Sequence, residues 1–142
     1  MKPHWLIPVD GSPAALRAVD HVVRDPVTSA VVARISLLNV QPPLPSDVTR
    51  FVSSSVVQDY HRETANAALA DARSKLEAAG IAYAPHIVVG DVAQTIADFA
   101  REQACTLIIM GSRGLGSVRG ILLGSITTKV VHLTELPVMV VK

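Results

Sequence analysis

One cysteine, Cys105, is all the chain has, so no intramolecular disulfide can staple it. A thiol at the lip of an apolar run reads as a buried, inert filler. Aromatic residues make up only 4% of the 142 residues and charged residues 18%, against 49% hydrophobic, so the core has to be assembled from Val, Ile, Leu and Ala. That mixture suits buried parallel strands covered by alanine-rich helices. No apolar run approaches the ~18 residues of a membrane span, and the opening MKPHWLIPVDG holds too short an apolar stretch for a signal peptide. A soluble, cytoplasmic protein with no membrane insertion is expected. Nor is there a basic run: the formal net charge is +1 with both signs interspersed, which excludes a nucleic-acid or anionic-membrane surface.

What is present is an alternation of short apolar runs with longer segments of helical period. WLIPVD at 5–10 reads as a strand, followed by Ser12 as N-cap and Pro13 as first residue of a helix to about Arg24. A second strand at 33–40 leads into a loop whose prolines at 42, 43 and 45 bar it from an interior strand or helix. From 54 to 79, Ala and Leu recur at three- and four-residue steps, with Gly80 placed to end a helix. A third strand at 82–90 is followed by Asp91 and Gln94 as a capping box for a helix carrying Val92, Ile96, Phe99 and Ala100. A fourth strand at 106–111, a helix from Ser125 to about Leu133 and a last strand at 138–141 complete the pattern. Five strands with four intervening helices predict one α/β domain over 1–142. Its sheet should be open, parallel and Rossmann-like, with helices on both faces and the flavodoxin-like strand order 3-2-1-4-5.

Glycine is unevenly spent. Five of eight fall in GSRGLGSVRGILLGS at 111–125, between the fourth strand and the last helix. Such crowding means either backbone angles closed to other residues or something pressed against the main chain. A P-loop is excluded, because Gly116 is followed by Ser117 and Val118 with no lysine. A dinucleotide fingerprint is excluded too, since it belongs after the first strand and needs a glycine where Arg119 stands.

The spacing Gly111-x2-Gly114-x9-Gly124-Ser125, the opening IPVDGS at 7–12 and the closing PVMVVK together resemble the ATP-binding branch of the universal stress protein family over essentially the whole length. The resemblance implies an open five-stranded α/β fold, a homodimer, and ATP, ADP or AMP as ligand. By matching position it implies adenine and ribose contacts from Pro8, Val9, Asp10, Val40 and Met110, and phosphate contacts from Gly111, Gly114, Gly124, Ser125, Ile126 and Thr127. The residue types agree in kind: a strand-end carboxylate can accept from ribose hydroxyls, and a helix N-terminus with hydroxyl donors attracts phosphate. Arg113 and Arg119 could clamp phosphates but read at least as well as solvated or dimer-facing, and stay outside the site. The five histidines lack metal-ligand spacing, and surface or capping roles are expected of them.

No G-x-S-x-G elbow and no second acid beside the glycine loop is visible, so hydrolytic machinery is not expected. A magnesium ion would enter with the phosphates, held mostly by them and by water. Three functions are open: a nucleotide-sensing regulatory module that presents a changed surface to a partner protein, a slow ATPase or phosphotransferase, and a nucleotide-free structural dimer. The apolar strand 138–141 is an edge strand that a second copy would cover.

Overall fold

The computed structural model describes residues 2–25, 34–112 and 123–142. Its strands are β1 (His4–Pro8), β2 (Arg34–Gln41), β3 (Ala84–Val89), β4 (Leu107–Gly111) and β5 (Val138–Val141). The helices are α1 (Pro13–Arg24), the short α2 (Ser46–Thr49), α3 (Ser54–Ala78), α4 (Val92–Glu102) and α5 (Ser125–Leu133). The five strands pair in parallel in the order β3-β2-β1-β4-β5, as expected from the alternation of elements.

Neighbouring side chains on a strand point to opposite faces, so each central strand needs two apolar sets in one continuous run. Ile7, Ile35, Leu37 and Ile109 pack with Ala15, Ala18, Val19 and Val22 of α1 and Leu69, Ala72 and Leu76 of α3. Leu6, Leu38, Ile108 and Met110 pack on the other face with Ala93, Ile96 and Ala100 of α4 and Val130 of α5. Small alanines let the helices sit close to the sheet, which is why a chain so poor in aromatics still fills its core.

Helix ends follow the sequence signals with three departures. The Ser12 side chain accepts from the Ala15 N–H at 3.2 Å with Pro13 as first helical residue. Gly80 takes φ +71° past the end of α3, and the N–H groups of Gly80 and Ile81 close on the carbonyls of Glu77 and Leu76, a Schellman end. The first departure is at Asp91. It accepts from the Gln94 N–H at 3.1 Å, but the Gln94 amide turns forward to Asp98 at 3.0 Å, so only half of the capping box forms. The second is α2, a single turn inside the segment expected to be loop, started by Pro45. The third is at α5, where Gly124 rather than Ser125 is the N-cap and no side chain caps the helix.

The surface or capping role expected of the histidines fails at His4 and His61, which are 5% and 6% exposed. His4 begins β1, where its Nδ1 meets the Gln103 carbonyl at 3.1 Å and its Nε2 meets the Ser36 hydroxyl at 2.8 Å. Burial pulls its pKa below the ordinary 6.5, with Arg34 and His86 adding to the effect and the Gln103 carbonyl opposing it. The unfolded chain therefore takes up this proton first as pH falls. Stability from His4 is complete above pH 6.5 and is lost as pH drops from 6.5 through the lower folded value. Urea midpoints should fall between pH 7 and pH 5 and fall less steeply in His4→Gln; equal slopes for the two proteins would refute this. Beside it, burial pushes the Cys105 thiol up to about 11, so it stays protonated and inert as expected.

Candidate functional site

The carboxyl ends of β1, β2 and β4 lie side by side in the middle of the sheet, where the strand order reverses. β1 stops at Pro8 because Asp10 and Gly11 turn the chain into α1. The Asp10 carboxylate accepts from the Ser12 N–H at 2.9 Å, and Gly11 takes φ +84°, a left-handed angle that favours glycine. Asp10 is thus the turn-former and also an exposed carboxylate at the strand end.

The last rung between the two strands is the Val9 N–H on the Leu38 carbonyl at 2.8 Å. Main-chain groups of successive residues point to alternate sides of a strand, so the next pair facing β1 belongs to Val40. With β1 gone, the Val40 N–H and C=O face the crevice side by side. Beneath them Asn39 donates to the Val9 carbonyl at 2.8 Å and accepts from the Gln41 amide at 2.6 Å, both side chains buried. This network pins the splayed ends of β1 and β2. Its signal in the sequence is a polar pair two apart in the otherwise apolar LLNVQ; the expected strand end at 40 put Gln41 outside the strand.

On the β4 side, Met110 is buried in the core cluster against which Val40 and Ile126 also pack, so three of the expected site residues share one apolar wall. Gly111 is a glycine for a different reason: a Cβ there would stand 2.7 Å from the Ala14 Cβ and press on the Ala14 carbonyl. It lets α1 lie against β4. The Ser112 N–H bonds the Val141 carbonyl at 2.9 Å, and the Ser112 carbonyl takes the Gly124 N–H at 2.6 Å, holding α5 to the end of the sheet. Thr127, buried, donates its hydroxyl to the Gly111 carbonyl at 3.1 Å.

Gly124 has φ −70° and ψ 162°, extended angles open to any residue, so backbone strain does not call for glycine there. The three amides that follow, of Ser125, Ile126 and Thr127, have no acceptor within the helix. The starts of α1, α3 and α4 are capped by Ser12, Ser53 and Asp91, whereas that of α5 has no side-chain cap. Ser125 is exposed and Ile126 half-buried beside these amides. Gly114, Arg113 and Arg119 lie outside the described residues. Among the described residues no group of three potential metal ligands converges, and no helix is long and apolar enough to cross a membrane.

The sequence pattern of the universal stress protein family matches residues 3–142. The chain belongs to this family. A universal stress protein of Methanocaldococcus jannaschii is 30% identical over 140 residues, which are 96% of this chain and 80% of that relative. The solved structure of a second universal stress protein from the same organism superposes with a TM-score of 0.81 at 30% identity, covering 100% of this chain and 96% of the other. The crystal structure of a universal stress protein in complex with cAMP gives a TM-score of 0.72 at 26% identity, over 99% of this chain and 97% of the other.

Proposed function

We propose that this universal stress protein binds an adenine nucleotide in the crevice between β1, β2 and β4 and acts as a homodimeric regulatory switch rather than as an enzyme. The observation that carries it is the uncapped start of α5, which Ser112 and Thr127 hold at the carboxyl end of β4, the same end of the sheet as the Asp10 carboxylate and the main-chain pair of Val40. Helix N-termini attract phosphate. A neighbouring N–H and C=O match the acceptor and donor edge of adenine, and Asp10 can accept from ribose hydroxyls. Pro8, Val9 and Met110 supply apolar surface for the base. That a relative of the same fold holds cAMP supports the same class of ligand. The residues fit ATP, ADP or AMP, with Gly124 leaving room for the phosphates of the longer forms. Magnesium would be held by the phosphates and water, with Asp10 within the same crevice.

Chemistry at this crevice is limited by what stands in it. Among the described residues that match the family's site positions Asp10 is the one acid, its Oδ1 already engaged by the Ser12 N–H. Phosphoryl transfer at the roughly 1 to 100 per second of ordinary kinases needs a positioned nucleophile and neutralised charge. The expectation is bound nucleotide in the supernatant of heat-denatured protein, read by chromatography, and single-turnover hydrolysis orders of magnitude below one per second. A rate near one per second that Asp10→Ala abolishes would overturn the switch reading in favour of an enzyme. A bound nucleotide that favours one of two loop arrangements would signal to an interacting protein through that preference.

The second copy is argued from β5. It closes one edge of the sheet, with Met139 exposed and no charge in the strand before Lys142. The Pro137 and Val141 carbonyls accept from β4, so by alternation the N–H and C=O of Val138 and Val140 face outward, unpaired. Antiparallel pairing with the same strand of another copy satisfies them and closes the assembly. Light scattering should give a dimer for the wild type and a monomer for Val140→Pro, which removes an outward donor and spares the bonds to β4. A monomeric wild type overturns the arrangement.

A further inference from the structure

His61 has no place in anything above, yet it is buried and unsatisfied. Among the described residues, two carry a buried side-chain nitrogen with no hydrogen-bond partner: Arg17 at Nε and His61 at Nδ1. His61 is 6% exposed, on the inner face of α3 in the row His61, Ala65, Leu69, Ala72, Leu76. Its ring meets that of Tyr60 edge-on at 5.5 Å. An unpaired buried nitrogen is unfavourable unless water or a ligand satisfies it.

Two anchors fix its height along the sheet. The Ile81 N–H on the Leu76 carbonyl, with Ala84 paired to Ser36, ties the end of α3 to the beginning of β2. From Leu76 back to His61 the helix climbs ~22 Å. β2 from Ile35 to Gln41 climbs ~20 Å. His61 therefore stands at or just past the carboxyl end of β2. Independently, Ala68 of α3 lies 3.4 Å from where a Gly11 Cβ would be. His61, two turns earlier and on the same side of the helix, stands ~10 Å beyond Gly11, above the Asp10 turn. α3 lies with α1 on one face of the sheet, and α5 lies on the other. His61 thus flanks the crevice on the side away from the uncapped amides.

We infer that His61 is a ligand-contacting residue of the nucleotide site, its Nδ1 hydrogen-bonding the nucleoside part and not the phosphates. This rests on the nucleotide reading above. His61→Phe keeps the ring volume and removes both nitrogens, whereas His61→Asn keeps a polar atom near the place of Nδ1. In calorimetric titration, His61→Phe should bind AMP and ATP about tenfold more weakly, by the same factor for both, and His61→Asn should stay within about threefold of the wild type. Should His61→Phe fail to fold, the ¹⁵N shift of the His61 Nδ1 in the wild type should move when AMP is added. Wild-type affinity in folded His61→Phe, a loss that grows with phosphate number, or an unmoved Nδ1 resonance on AMP binding each overturns the inference while leaving the nucleotide reading standing. Wild-type protein that binds neither AMP nor ATP ends both.

Discussion

Gly111→Ala should lower stability by about 3 kcal/mol, with a fall in melting temperature on the order of 10 °C. The added methyl would stand 2.7 Å from the Ala14 Cβ and closer still to the Ala14 carbonyl, which is main chain of α1. A flexible side-chain end could swing aside; a helix backbone moves only by taking its whole apolar face with it. That face is Ala14, Ala15, Ala18, Val19 and Val22, all buried, and displacing it would open the core between α1 and β4. Thermal unfolding followed by circular dichroism decides the matter. A melting temperature within about 2 °C of the wild type would mean that α1 yields at little cost.

Gly124→Val should weaken ATP binding at least tenfold, ~1.4 kcal/mol, in a protein that still folds. The residue has extended angles that valine adopts freely, and its N–H is already bonded to the Ser112 carbonyl, so neither conformation nor that bond requires glycine. What valine adds is a branched side chain beside the amides of Ser125, Ile126 and Thr127, where phosphate oxygens have to approach. Its cost to the start of α5 is about 1 kcal/mol. Unchanged ATP affinity by calorimetric titration in a folded variant would place the phosphates elsewhere. The two glycines thus divide the roles that crowding at 111–125 leaves open: Gly111 yields to a helix, and on the proposed reading Gly124 yields to a ligand.

Much of this architecture is written in local pattern. Val- and Ile-rich runs with no alternation mark strands buried on both faces, and the step from such a run through Asp10-Gly11-Ser12-Pro13 to a helical period places the crevice end of β1. Gly111 stands out in the sequence, but its reason is Ala14, almost a hundred residues away, and spacing cannot supply that. Local pattern puts the cap of α5 one residue late because a serine next to a glycine is the stronger general signal, while the observed cap, Gly124, has its amide held from outside the helix by the Ser112 carbonyl. Surface or capping roles are the expectation for His4 and His61 because burial of a lone polar residue depends on tertiary surroundings that local pattern does not show, such as Ser36 and Gln103 around His4. Asn39 and Gln41 are the nearest miss. Two amides on one face of a buried strand call for each other, and reading the strand one residue longer would have joined them.

The central place of β1 has a kinetic consequence. It pairs with β2 on one side and β4 on the other, and the His4 N–H bonds the Thr106 hydroxyl across 102 residues. A growing chain that emerges at roughly 5 to 20 residues per second makes β1 first and delivers its second partner about 5 to 20 seconds later. In that interval Ile7 has α1, β2 and α3 to bury against, whereas Leu6 on the other face still lacks α4 and α5, and the edge meant for β4 is open. Loop closure over such a span is slow compared with hairpin formation, and no pair of strands here is joined by a hairpin. The half-made sheet β3-β2-β1, with a hydrophobic edge waiting for its match, is the species on which a chaperone or a neighbouring nascent chain would first act.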